Sequence, residues 1–87
     1  MNQDELAGRT AQLPELFADR VPASDLAGLR SMAAGGEWDE LLDLLIAALR
    51  VTRAPLSVDE LDELRTLLTG WGMPTGQLDG LILRSGS

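Results

Sequence analysis

Apolar residues recur at helical spacing in several stretches of the chain, separated by Pro, Gly and Ser. The first places Leu6, Leu13, Leu16 and Phe17 roughly along one side, and Asn2 and Glu5 ahead of it stand at the spacing of a capping box. A helix is therefore predicted to start at about residue 3. It should break or kink near Leu13, because Pro14 lacks an N–H and disfavours helical backbone in the residue before it. "RVPAS" reads as a turn, with Ser24 as the next N-cap. Leu26, Leu29, Met32 and Ala33 then share a face. "AAGG" ends that helix, since Gly35 or Gly36 can take the left-handed C-cap conformation.

The third helix is predicted over about 37–52. Trp38, Leu41, Leu42, Leu44, Leu45, Ile46, Ala48 and Leu49 fill an arc of roughly 200° at about 100° per residue, wider than the stripe of an ordinary surface helix. Such a helix has to be touched on several sides, which makes it the central one. Asp39, Glu40, Asp43 and Arg50 form its remaining polar strip. After "TRAPLS", Ser57 and Glu60 make the clearest capping box in the chain, opening a helix with acids in its first turn. Leu61, Leu64, Leu67, Leu68 and Trp71 are its apolar face, and Asp59, Asp62, Glu63, Thr66 and Thr69 lie opposite. "GWGMPTG" is a break. Thr75 then caps a short last helix carrying Leu78, Leu81 and Ile82, and residues 83–87 read as a frayed tail. No stretch alternates as a strand does, and no internal repeat is evident. The expected fold is all-α: one domain spanning 1–87, a compact bundle of four or five short helices around the central one.

A chain of 87 residues buries a modest core, and it has no Cys to staple it. The start, "MNQDELAGRT", lacks the basic segment and apolar run of a signal peptide, and the longest apolar stretch, Leu44 to Leu49, is too short to span a bilayer. A cytoplasmic protein is expected. All seven basic residues are Arg, and the net charge is −7. The Arg-only, Ala/Gly/Leu-rich composition fits a GC-rich bacterial genome. Acidity without a basic stripe argues against nucleic-acid binding, which relies on Lys and Arg at phosphates. Phe17, Trp38 and Trp71 are the only aromatics, too few for a base-stacking platform. A basic protein partner suits this charge better. Nothing in the pattern sets an oligomeric state.

Candidate chemistry is mostly eliminated. Without His or Cys, neither a Cys–His nor a Ser–His–Asp arrangement exists. The carboxylate pairs Asp39/Asp43 and Asp59/Glu63 stand one turn apart, but the di-iron pattern needs Glu-x-x-His, and these acids fall on polar faces. No Gly-rich phosphate loop is present; "GMPTG" has no Lys and follows no strand. An acidic helical domain of this size invites comparison with acyl carrier proteins, whose modified Ser follows Asp; here "ASDL" puts Ser first. No enzyme activity, metal or cofactor is expected.

The two Trp residues fit the apolar faces of their helices, as core-edge packing or as a partner-facing hot spot. The acids admit a plain reading too, as a solvated surface that keeps a small protein soluble. Yet eight acids on the third and fourth helices face only Arg50 and Arg53 in the same segment. Like charges one turn apart cost about a few tenths of a kcal/mol per pair. A partner that relieves this cost explains it, and Asp59, Asp62, Glu63, Asp39, Glu40 and Asp43 are the candidate partner-binding residues.

The segment from Leu29 to Pro74 resembles the small helical immunity proteins of bacterial polymorphic toxin systems, in particular the MafI-type family. Gly36-Glu37-Trp38 matches the family's step into a long Leu-rich helix. Pro55-Leu56-Ser57 with Glu60 matches the entry to its acidic helix, and Gly72-Met73 the break after it. The chain departs from the pattern late in the long helix, where it has "IAALRVTR". The resemblance implies a non-enzymatic inhibitor that binds a cognate toxin domain, and many such toxins are nucleases with basic clefts. A generic acidic adaptor or regulatory binding protein is the alternative.

Overall fold

The computed structural model describes residues 1–84. Five α-helical segments occupy most of it: α1 (Gln3–Ala11), α2 (Leu13–Leu16), α3 (Ala23–Gly35), α4 (Trp38–Thr52) and α5 (Val58–Gly70). The all-α class is correct, and the radius of gyration of 12.1 Å is that of a compact chain of this length.

Each boundary has a local cause. Asn2 Oδ1 accepts from the Glu5 amide at 2.7 Å and opens α1. Pro14 sits in the first turn of α2, where its missing N–H costs nothing, so the expected break falls between two helices. α3 ends at Gly36 (φ 70°), and the Glu37 amide donates to the Met32 carbonyl at 2.9 Å to close a Schellman motif. α5 ends in the same way: Gly72 has φ 73° and the Met73 amide donates to Leu68 O at 2.8 Å. The capping box of α5 is complete, with Glu60 N donating to Ser57 Oγ at 3.1 Å and Ser57 N to Glu60 Oε1 at 2.9 Å.

Three expectations need correction. Ser24 is not an N-cap. Pro22 holds that position with extended backbone (φ −60°, ψ 149°), so the helix begins two residues earlier and Ser24 lies exposed in its first turn. No helix carries Leu78, Leu81 and Ile82 together. A single 3₁₀ turn spans Gly76–Leu78 without a side-chain cap from Thr75, and Gly80 at φ 89° turns the chain away. The chain also contains strand: β1 (Pro55–Leu56) pairs in parallel with β2 (Ile82–Leu83). Two residues per strand are too few to show alternation in sequence. The expected tail at 83–87 therefore begins inside β2, with Arg84 N donating to Leu56 O at 2.7 Å; residues 85–87 lie outside the described residues.

The centre is α4, as its wide apolar arc requires. Leu41, Leu42, Leu45, Ile46, Ala48 and Leu49 are buried, while Asp39, Glu40, Asp43 and Arg50 are exposed. α3 and α1 pack against it. Phe17, Leu29, Leu56, Leu64, Leu67 and Leu68 join it in the core, all fully buried.

Leu45→Ala should lower stability by about 2–5 kcal/mol, because a fully buried Leu leaves a cavity. Denaturant melts test this, and a midpoint equal to wild type contradicts the central placement of α4. Ser57→Ala should cost about 1 kcal/mol through loss of the cap. Ser24→Ala should stay within about 0.5 kcal/mol, as for an exposed helical position. Equal losses in the two serine variants would contradict the cap assignments.

Candidate protein-binding surface

The acids of α5 and α4 meet different fates in the fold. Around α5, two arginines from the N-terminal third of the chain arrive at its carboxylates. Arg20 Nη1 and Nη2 donate to Glu60 Oε1 and Oε2, both at 2.6 Å. The guanidinium also reaches Leu16 O at 3.2 Å and Pro55 O at 3.4 Å, and its Cζ lies 4.7 Å from the centroid of the Phe17 ring. Its Nε approaches Asp19 Oδ1 at 3.4 Å without forming a hydrogen bond. With side-chain exposures of only 15% and 17%, the Arg20–Glu60 pair is shielded from solvent. Glu60 thus holds together the α5 cap, the β1 backbone and the turn after α2.

Hydrogen bonds from Arg20 lower the Glu60 pKa to about 2; burial opposes this, while the Ser57 amide and the charges of Arg20 and Arg84 reinforce it. Arg9 plays a similar part further along α5, donating through Nε and Nη2 to both oxygens of Glu63. Asp62 faces Arg65 at 3.6 Å on the exposed side, a pair worth little. Glu63 is therefore not a free acid on a polar face, as the spacing suggested. Of the three α5 candidates, only Asp59 stands exposed and without an ion pair among the described residues.

α4 is the opposite case. Glu37, Asp39, Glu40 and Asp43 are all exposed, and none has a side-chain hydrogen bond or ion pair among the described residues. Asp39 and Glu40 lie in the first turn, where the helix dipole offsets part of their charge. Arg50, further along the same strip, donates instead to the Gln77 carbonyl.

Beside this acidic strip the two Trp residues meet. Their ring centroids are 6.3 Å apart and their planes 19° from parallel, an offset stack. Trp71 Nε1 donates to Thr10 Oγ1 at 3.0 Å, and the buried Thr10 hydroxyl donates on to Leu6 O at 2.8 Å, so the indole of Trp71 is fixed from below. Both rings pack on the core yet stay partly exposed. Gly36, Trp38, Asp39 and Trp71 line a groove of about 290 Å³. A second groove of about 520 Å³ runs along α1 and α2 between Leu13, Leu16, Arg9 and Glu63.

Sequence reasoning placed the acids on the right helices but missed Arg9 and Arg20, which pair across 54 and 40 residues. No local signal marks such pairs. It also missed the Trp–Trp contact, although both residues stand at helix ends, Trp38 two residues after Gly36 and Trp71 between Gly70 and Gly72. Among the described residues no cluster of carboxylates could hold a metal ion, and no helix is long and apolar enough to cross a membrane. Comparison with known protein families, curated proteins and solved structures finds no match to this chain.

The Glu60 shift sets a pH dependence. A carboxylate held below its ordinary 4.5 adds stability that is complete above that value and is lost as pH falls toward about 2. After discounting for residual solvent screening, the pair should be worth about 1–2 kcal/mol. Chemical denaturation of wild type and Glu60→Gln at pH near 7 and near 3 should show the gap between them narrowing at the lower pH. A gap independent of pH contradicts the assignment.

Proposed function

We propose that this chain is a protein-binding inhibitor, an immunity protein that neutralises a cognate bacterial toxin domain through the acidic surface of α4. The observation that carries this reading is the contrast between the two acidic helices. Glu60 and Glu63 on α5 are consumed by Arg20 and Arg9, whereas Glu37, Asp39, Glu40 and Asp43 carry four negative charges with no internal counterion among the described residues. Asp39 and Asp43 keep like charges one turn apart, at a small cost that a basic partner removes.

A nuclease cleft shaped for phosphate is basic, and an acidic helix offers it a mimic of that charge. Complementary charge speeds encounter, which matters to an inhibitor that must act before the toxin does. The resemblance of Gly36-Glu37-Trp38 and its neighbours to MafI-type proteins points the same way. An acidic adaptor for some other basic protein is the second reading, since the same charges would serve it.

The test is co-expression with the upstream gene product as the candidate toxin, followed by binding measurements on the purified pair. Neutralisation is expected, with affinity falling as salt rises, because exposed charges are screened within about 8–10 Å at physiological ionic strength. Glu40→Arg with Asp43→Arg should slow association by about ten-fold or more and leave the fold intact. The Asp59→Arg/Glu63→Arg pair is a poorer probe, because it also breaks the Arg9 contact. Failure to neutralise overturns the inhibitor reading. Binding that ignores both salt and the α4 reversal removes the acidic surface from it.

A further inference from the structure

We propose that the Trp38/Trp71 groove is a receptor for an arginine side chain presented by the protein partner, an anchor at the edge of the acidic surface. This rests on the reading of α4 as a partner-binding face and names the group that would be gripped there.

Its shape comes first. At about 290 Å³ the groove lies just below the range of small-molecule pockets, about 300–1,000 Å³, and suits one side chain better than a cofactor. Two of its four lining residues are partly exposed indoles in an offset stack, and Trp71 is locked by its bond to Thr10. Gly36 lies beside Trp38; a Cβ built there would stand 3.9 Å from the indole, so the glycine leaves that side of the ring uncovered.

Charge selects the occupant. Asp39 lines the groove and has no internal partner among the described residues, and Glu37 and Glu40 stand close to it in the chain. The C-terminal ends of α3 and α5 both reach the groove, through Gly36 and Trp71, and neither helix has a basic residue in its last turn. The negative ends of two helix dipoles thus go without a cation. The opposing positive end of α4 carries about half a charge and already bears the carboxylates of Asp39 and Glu40. Indole faces, a free carboxylate and two helix C-termini together favour a cation. Between the two cationic side chains, guanidinium fits better: it is flat, stacks on indole and offers a two-pronged donor to a carboxylate, whereas ammonium is a compact, strongly hydrated point charge.

Trp38 and Trp71 are the only tryptophans, so intrinsic fluorescence reports the groove directly. The intact chain is titrated with a capped tri-arginine peptide, its tri-lysine counterpart and the neutral tri-citrulline isostere. The expected result is a saturable change with arginine, binding weaker by about three-fold with lysine, and none with citrulline. Asp39→Asn should weaken the arginine response by about five-fold with an unchanged melting curve. Trp38→Phe, read through Trp71, should weaken it as well. No saturable response, an equal response to citrulline, or an unaffected Asp39→Asn variant overturns the proposal. If the toxin domain is neutralised but the arginine peptide does not bind, this inference alone falls. If the peptide binds and no toxin is neutralised, the arginine receptor stands and the inhibitor reading falls.

Discussion

The structure depends on the demand of α4 to be covered. Its apolar arc is too wide for one neighbour, and Leu41, Leu42, Leu45, Ile46, Ala48 and Leu49 all have to leave water. α3 packs along one side, and the N-terminal segment folds back over another. That return path carries Arg9 and Arg20 to α5, where they meet Glu63 and Glu60. Hydrophobic burial thereby decides the electrostatics: the way the core closes determines which acids find partners and which do not.

The two acidic helices end up with separate roles. Glu60 is structural three times over, as an arginine partner, as half of a capping box and as a tie to β1 through the shared Arg20 contact with Pro55 O. Its low pKa belongs to this role. The acids of α4 do none of this. They surround the start of the most buried helix in the molecule, next to the one place where two large aromatics come to the surface together. Acids with no internal counterion among the described residues thus stand beside a stacked aromatic pair, and the proposed recognition role rests on that placement.

Much of the fold could be read from sequence because local physics specified it. The Ser57/Glu60 box, the Gly36 terminus and the arc of α4 each follow from a few neighbouring residues. The misses arose where that logic competes or is silent. At Ser24 a good capping residue lost to Pro22, whose fixed φ set the extended cap two positions earlier. At Gly80 a backbone with φ 89° ended what looked like a helix in the pattern of Leu78, Leu81 and Ile82. The candidate surface was half legible. Both sets of acids were visible, but Glu63 looked free until the fold delivered Arg9 from 54 residues away. The pairing of Trp38 with Trp71 is likewise a property of the packed helices and not of either segment.

The central claim is that α4 and not α5 presents the recognition surface. Amide chemical-shift mapping of the isotope-labelled chain against the upstream gene product, the candidate partner under the proposed function, tests this most directly. The account predicts perturbations concentrated in residues 36–43 and at the Trp71 indole, with residues 59–63 unmoved. Perturbations centred on 59–63, with 36–43 unaffected, would contradict it.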